Sequence, residues 1–245
     1  MKSAYELQAS KELKAWQKRM SRKPSVMNRL SKRFQVKLNS YIPARIHRAV
    51  TVTIKHMVRG VLFGATYTTR ETPMYSTLEA REAAIKEKIN FYKKTAATEG
   101  GITGAGGFIM SLVDFPVLLG IKIKLLFEIA SVYGFSVKDY KERLFILHIF
   151  QLAFSSQQRR REVYEQIKDW DEKSKMIPDD IHQFDWQSFQ QEYRDYIDIA
   201  KLAQLLPGIG AVVGVIVNYR LIRQLGDTAM NAYRMRLYES KPVTK

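Results

Sequence analysis

The 245-residue sequence contains no cysteine, so it has neither a disulfide framework nor a thiolate metal site. Its four histidines are His47, His56, His148 and His182. None of them belongs to an HExxH or Glu-x-x-His arrangement, which argues against a hydrolytic zinc centre or a di-iron centre. His148 lies in an apolar run, where we expect an ordinary core histidine. We therefore predict no metal and no cofactor.

Long apolar runs are also scarce. A helix that crosses a bilayer needs about 20 predominantly apolar residues, and residues 205–217 are too few. Residues 102–121 are long enough but contain Asp114 and Pro116, and an ionised Asp is costly at bilayer depth. For this segment we favour a glycine-rich loop that enters a core helix over a helical hairpin that dips into one leaflet.

Acidic residues are rare at the start of the chain. The first 60 residues hold 15 Lys and Arg but only Glu6 and Glu12, a net charge of +13, while the whole chain carries +16. Such a concentration of charge attracts a polyanion, either nucleic acid, anionic lipid or an acidic protein face. The first thirty residues also lack the apolar core of a secretory signal, so we expect a cytoplasmic protein.

The basic residues of this region alternate with apolar stripes at helical spacing. Residues 3–20 predict a helix whose apolar face carries Trp16, and residues 44–65 predict another helix. The β-branched run over 50–54 would also suit a strand, but the longer helical period favours a helix. We predict that these helices bind a membrane by electrostatic attraction and by insertion of Trp16. The predicted membrane-binding residues are Lys11, Lys14, Trp16, Lys18, Arg48, Lys55 and Arg59. No nucleic-acid reading motif is present, so no nucleic-acid partner is expected.

The rest of the chain also predicts helices. A capping-box pattern at Ser76 and Glu79 opens a helix that should stop at Gly100 and Gly101. Residues 138–170 predict one long helix that is fully buried over 144–154, and residues 186–200 and 208–238 predict two more. The predicted fold is all-α, a compact bundle of roughly seven to nine helices. We divide it into a basic amphipathic arm over residues 1–65 and a helical core over residues 66–245.

Two local motifs invite a chemical interpretation. The glycine cluster over 100–107 lacks the Lys-Ser/Thr pair of a Walker A loop and a preceding strand, so close helix approach or a tight turn is favoured over nucleotide binding. Asp114-Phe-Pro116 suits a helix N-cap. The alternative is that Asp114 and Glu128, on one side of a continuous helix, form a two-carboxylate site.

Several segments resemble the EcsC family of bacteria. They include residues 98–107, 114–116, 124–130, 142–147 and 206–214, and the resemblance covers nearly the whole chain. The matching motif positions are Gly101, Gly104, Gly106, Gly107, Asp114, Pro116, Arg143, Pro207, Gly210, Gly214, Asn218 and Arg220. Glu99, Glu128 and Glu142 match as well, and the resemblance implies no chemical role for any of these residues.

The resemblance implies a genetic context more than a reaction. Family members are encoded beside an ABC transporter ATPase and its membrane subunit, in a system linked to protein secretion, competence and peptide processing. We therefore expect a non-enzymatic peripheral membrane protein on the inner face of the cell membrane. Its expected partners are anionic lipid and the transporter subunits.

Two alternatives stay open. The first is a membrane-surface hydrolase acting on lipid or peptide, with Glu99, Asp114, Glu128 and Glu142 as candidate catalytic residues. The second is a structural adaptor of the transporter, which would present an exposed apolar patch without a concave pocket.

Overall fold

A computed structural model describes residues 3–22, 44–63, 75–104, 107–155, 159–183, 185 and 211–239. These residues form eight α-helices and two short 3₁₀ helices, which confirms the predicted all-α bundle. The α-helices are α1 (Ala4–Met20), α2 (Ala44–Phe63), α3 (Leu78–Gly104), α4 (Gly107–Tyr133), α5 (Tyr140–Phe154), α6 (Arg160–Ile167), α7 (Trp170–Lys173) and α8 (Ala211–Glu239). The 3₁₀ helices span Ser174–Met176 and Ile181–Gln183. The helix predicted over 186–200 lies outside the described residues.

The core of the bundle forms where α8 packs against α3, α4 and α5. Helix α5 is apolar on nearly all sides, and its residues 144–154 are buried apart from the half-buried His148, as the sequence predicts. Helix α8 lies so close to α3 that a Cβ atom on Gly226 would be 2.5 Å from Cδ1 of Ile89. Glycine at position 226 therefore permits this close approach between the two long helices.

Helix α1 is an integral part of this bundle. A capping box between Ser3 and Glu6 opens the helix, a feature that the sequence interpretation missed. Ala9, Leu13 and Trp16 are buried against the other helices, as the helical period predicts. The spacing of three and four residues thus turns the apolar face of α1 inward.

Helix α2 packs elsewhere in the bundle. It is helical through residues 50–54, so the helix interpretation of that run is confirmed. Its buried residues Ile54, Val58 and Val61 belong to the same hydrophobic core as those of α1. However, α2 packs against α4 and α5, whereas α1 packs against α3, α6 and α8. The structure therefore does not show one continuous basic layer, and the domain boundary at residue 65 stays a prediction.

Three local predictions about helix ends were wrong. Helix α3 continues through Gly100 and Gly101 to Gly104, because the low helix propensity of glycine is only a weak preference. Its N-terminus is capped one residue later than predicted, by Thr77, whose Oγ1 accepts from Ala80 N at 3.1 Å. Asp114 is not an N-cap, since α4 begins at Gly107 and contains Pro116 in its interior.

The single long helix predicted over 138–170 is also wrong. Helix α5 ends at Phe154, where Ser155 takes an extended backbone conformation and donates its hydroxyl to Leu152 O at 3.0 Å. Such a side-chain bond offers the backbone an alternative to continuing the helix. Helix α6 then begins at Arg160, and Asp169, with a φ of 53°, separates it from α7. Among the helices that the structure describes, none is both long and apolar enough to cross a bilayer.

Candidate functional site

A cleft of about 1260 Å³ opens between α1, α3, α6 and α8, with part of α5 at its base. Nine basic and two acidic side chains line it. The basic side chains are Lys18, Arg19, Arg22, Lys86, Lys93, Arg160, Arg220, Arg223 and Arg234. The acidic ones are Glu12 and Asp227. This imbalance makes the cleft an electropositive concavity.

Helical spacing explains how the basic residues reach one cleft. On α8, Arg220, Arg223 and Asp227 are three and four residues apart and share a face. On α3, Lys86 and Lys93 are separated by two helical turns and share a face in the same way. Lys18 and Arg19 occupy the last turn of α1, where positive charge also complements the helix dipole.

Four of the nine cations have contacts within the protein. Arg234 Nη1 lies 2.9 Å from Glu12 Oε2, and Arg223 Nε lies 3.8 Å from Asp227 Oδ2. The other two contacts are Lys86 Nζ to Tyr5 Oη at 3.1 Å and Lys93 Nζ at 4.5 Å from the Tyr219 ring centroid. In the described part of the chain, the other five have no carboxylate within ion-pair distance. These five are Lys18, Arg19, Arg22, Arg160 and Arg220.

The electrostatics of the cleft follow from this crowding of positive charge. Burial lowers the pKa of the Arg160 guanidinium, and the positive charge of Arg19 lowers it further. Partial desolvation raises the pKa of the Asp227 carboxyl. The cations that act against this shift are Arg223, Lys93, Arg19 and Arg234, which come from three different helices. The positive side chains of the cleft therefore share one electrostatic environment.

Behind the cleft, a buried ion network holds Arg234 in place. Glu82 is fully buried, and its Oε1 accepts from Arg234 Nε at 2.6 Å and from the Tyr133 hydroxyl at 3.0 Å. Its Oε2 accepts from Arg234 Nη2 at 2.5 Å and from the Tyr5 hydroxyl at 2.6 Å. Four donors satisfy this carboxylate, as a buried charge requires. The burial of Glu82 was not predicted from the sequence, although a glutamate on the same apolar helix face as Leu78 and Ile85 indicates it.

A second buried network lies on α8 around Arg236. Its Nη1 lies 2.7 Å from Glu142 Oε2, and its Nη2 lies 2.7 Å from Asp171 Oδ1. The Tyr233 hydroxyl donates to Glu142 Oε1 at 2.6 Å, and the guanidinium stacks 3.9 Å from the Phe135 ring centroid. Burial raises the pKa of Glu142, although Arg236 opposes the shift. Glu142 is thus occupied by structural partners.

The predicted carboxylate site stays a prediction, because the structure describes the side chains of only two of its four residues, Glu128 and Glu142. Glu128 accepts from Lys88 Nζ at 2.9 Å and from the Tyr92 hydroxyl at 2.6 Å, contacts separate from those of Glu142. For Glu99 and Asp114 the structure describes the helical backbone, in α3 and α4, but not the side chains. Within the described ranges, no group of three or more His, Asp and Glu side chains could hold a metal ion.

The predicted membrane-binding residues differ in exposure. Lys11, Lys14, Lys18, Arg48, Lys55 and Arg59 are exposed. Trp16 is only 3% exposed and packs edge-on against the Tyr164 ring, with centroids 5.7 Å apart. The prediction that Trp16 inserts into a membrane is therefore corrected, because the helical period that makes α1 amphipathic directs this side chain into the core. Of the seven residues, Lys18 and Trp16 line the cleft.

The family-motif positions are spread over several helices. Arg220 lines the cleft, and Arg143 Nη1 donates to Val137 O and Lys138 O at 3.1 and 2.7 Å, which fastens the start of α5. Pro116 is exposed on α4. Gly101 and Gly104 lie in α3, Gly107 begins α4 and Gly214 lies in α8. Gly106, Pro207 and Gly210 lie outside the described residues.

Asn218 contacts a buried lysine, Lys122, that was not predicted from the sequence. Lys122 is fully buried, and its Nζ donates to Leu118 O at 3.2 Å and to Asn218 Oδ1 at 3.5 Å. Burial lowers the pKa of Lys122 to about 7. The position of Lys122 between Ile121 and Ile123, inside an apolar helix, indicates this burial in the sequence.

Comparison with known proteins gives consistent results. The sequence model of the EcsC protein family matches residues 7–238. The chain is 48% identical over 224 residues to Protein EcsC of Bacillus subtilis (strain 168), an alignment that covers 91% of this chain and 92% of that protein. It is 30% identical over 169 residues to the uncharacterized protein YdbA of the same organism, covering 68% of this chain and 60% of that one. No solved structure gives a significant match.

Proposed function

This chain belongs to the EcsC family, and from that premise we propose that it is a non-enzymatic peripheral membrane protein whose basic cleft binds anionic lipid headgroups. The observation that carries the proposal is the cleft itself, which is lined by nine cations and two carboxylates. Seven of the cations, all except Arg223 and Arg234, have no carboxylate within ion-pair distance in the described part of the chain. Unpaired charge in a concave site favours an external anion as the partner.

The surface next to the cleft supports the same function. Leu7, Lys11, Lys14 and Lys18 form one exposed stripe along α1, and Leu7 is 52% exposed. Each Lys or Arg near an anionic leaflet contributes about 1 kcal/mol of attraction. The stripe and the cleft together provide enough cations for reversible attachment without a spanning helix and without insertion of Trp16.

The family resemblance extends the proposal to a partner. It implies that the protein is accessory to an ABC transporter linked to protein secretion, on the inner face of the cell membrane. The transporter's ATPase and membrane subunit are then the protein partners. Attachment to the bilayer would bring the chain close to that membrane subunit.

The two alternatives have less support. A hydrolase needs its carboxylates in one site, whereas Glu128 and Glu142 each have their own buried or half-buried partners. A pure adaptor needs no concave pocket. The large cleft, with its one-sided charge, favours a ligand-binding role over an adaptor role.

Vesicle co-sedimentation tests the proposal. The protein should bind vesicles of phosphatidylcholine with phosphatidylglycerol, bind phosphatidylcholine alone at least tenfold more weakly, and dissociate as salt is raised. The double variant R19E/R160E should bind at least tenfold more weakly than the wild type. The control K124E/K138E makes the same change in charge at exposed residues outside the cleft. Binding that ignores lipid charge, or an equal loss in both double variants, would contradict the proposal.

A further inference from the structure

The cleft contains arginine in preference to lysine. Six of its nine basic residues are arginines, and they come from α1, α6, α8 and the residue pair that follows α1. A guanidinium presents a planar fork of donors that matches two oxygens of a phosphate at once, whereas an ammonium acts as a point charge. Attraction to a charged surface alone would need no such preference for arginine. The composition of the cleft therefore favours a defined phosphate ligand.

Two of these arginines have no carboxylate in the described structure to balance their charge. Arg19, near the end of α1, and Arg160, the first residue of α6, both line the cleft, and the charge of Arg19 acts on Arg160. Neither has a carboxylate partner among the residues that the structure describes, and Arg160 is half-buried. A ligand with two negative charges would offset both guanidiniums. A phosphomonoester carries a charge of about −1.5 to −2 at pH 7.

A third feature of the cleft points to a ligand independently. Asn231 is one of the residues that line the cleft, and its Nδ2 donates to Asp227 O at 2.8 Å. Its Oδ1 is buried and accepts no hydrogen bond in the described structure. Buried acceptors are normally satisfied. A hydroxyl group on the ligand, or a protonated phosphate oxygen, would supply the missing donor.

We propose that the cleft is a phosphomonoester site in which Arg19 and Arg160 together bind the phosphate group and Asn231 accepts a hydrogen bond from the ligand. Arg234 also lines the cleft and is held in place by Glu82 and Glu12. The phosphomonoester belongs either to a lipid, as in phosphatidic acid, or to a soluble phosphate ester. The inference that the phosphomonoester belongs to a lipid rests on the function proposed above, but the inference of a phosphate site does not.

Calorimetric titration of the full chain with two soluble probes tests the site. Glycerol 3-phosphate is a monoester, and dimethyl phosphate is a diester with one charge. At constant ionic strength, the wild type should bind the monoester at least tenfold more tightly than the diester. The variant R19K/R160K keeps both charges but loses both guanidinium forks, so it should bind glycerol 3-phosphate at least tenfold more weakly than the wild type. R48K/R59K, which makes the same substitutions on α2, should bind it as tightly as the wild type.

The results separate this inference from the proposed function. Vesicles with phosphatidic acid should bind the wild type more tightly than vesicles with phosphatidylglycerol. Selective binding of glycerol 3-phosphate without vesicle binding would support the site, assign it to a soluble ester and contradict membrane attachment. Equal affinity for monoester and diester, or an unchanged affinity for glycerol 3-phosphate in R19K/R160K, would overturn the inference, even if vesicles still bind by charge alone.

Discussion

The two halves of helix α8 use the same residue type in opposite ways. Toward the C-terminus, Arg234 and Arg236 are 3% and 6% exposed, and each is paired with carboxylates from other helices. Toward the N-terminus, Arg220 and Arg223 are exposed at the cleft, and Arg220 has no carboxylate partner in the described residues. A buried arginine must be paired to be tolerated, whereas an exposed one can remain available to a ligand. Burial with pairing therefore marks Arg234 and Arg236 as structural cations, whereas Arg220 and Arg223 are exposed, with Arg223 close to Asp227 of the same helix.

The paired half also integrates α1 into the bundle. Arg234 contacts Glu12 of α1 at 2.9 Å, and the Tyr238 hydroxyl donates to Glu6 O at 3.0 Å. These bonds join residues more than 200 positions apart in the chain. The wall of the cleft formed by α1 thus depends on the network behind it. Breaking that network should damage the fold first and the cleft as a consequence.

Removing a carboxylate that pairs with the C-terminal half of α8 should have the largest effect. Glu82→Ala leaves Nε and Nη2 of the buried Arg234, and the hydroxyls of Tyr5 and Tyr133, without the carboxylate that accepts from them, while Arg234 Nη1 keeps only the half-exposed Glu12. We expect the free energy of unfolding to fall by about 3–5 kcal/mol, measured by urea denaturation. Glu87→Ala, at an exposed position of the same helix, is the control. An equal loss in both variants would remove the distinction between the half of α8 with buried arginines and the half with exposed arginines.

The boundary between the halves is sensitive to volume. Gly226→Ala would place a methyl group 2.5 Å from Cδ1 of Ile89, so we expect a loss of about 1–3 kcal/mol by overpacking. Adding Ile89→Val should recover part of it. Gly120→Ala, which meets nothing within 4 Å, should instead stabilise α4 by about 0.5–1 kcal/mol. Thermal unfolding of the variants compares them, and a neutral Gly226→Ala would show that α3 and α8 can separate freely.

Lys122 tests whether a buried cation is tolerated without a carboxylate. Its pKa falls from 10.5 to about 7 through burial, so between pH 7 and 10 the unfolded chain binds a proton that the folded chain does not. This group therefore makes the free energy of unfolding rise with pH, by about 1.4 kcal/mol per pH unit. Lys122→Met removes that slope, so its stability advantage over the wild type should shrink from pH 7 to pH 9. Urea denaturation at both pH values measures this, and parallel curves for the two proteins would contradict it. Lys124→Met, at an exposed position, should follow the wild type.

The smallest effect is expected in the N-terminal half of α8, where the arginines are exposed. Arg220→Gln removes an exposed cation without breaking an ion pair within the described structure, so the free energy of unfolding should change by no more than about 0.5 kcal/mol. Differential scanning calorimetry without added phosphate would detect a larger change. A loss comparable to that of Glu82→Ala would mean that Arg220 is structural after all.

Local patterns predicted the helices well where the apolar period was long. The buried face of α1, the helical state of residues 50–63 and the burial of α5 all follow from spacing alone. Predictions that relied on one or two residues failed, such as the helix stop at Gly100 and the N-cap at Asp114. A single glycine or proline shifts the local balance by amounts that tertiary packing can offset.

The candidate site was predicted less well than the fold. The concentration of positive charge is visible in the sequence, but the lysines and arginines predicted to bind a membrane share only Lys18 with the cleft. Trp16 was placed on the correct face of α1 and given the wrong role, because a helical period does not say whether an apolar face meets lipid or protein.

By itself, the sequence determined the all-α class, the excess of positive charge near its start and the apolar faces of its long helices, since these depend on composition and on spacing within a few turns. Only the tertiary structure decided which charges meet. Glu82 and Arg234 are 152 positions apart, and Arg19, Arg160 and Arg220 come from three separate helices. The contacts between such positions depend on how the helices pack. That packing separates the buried, paired arginines from those left open to an anion.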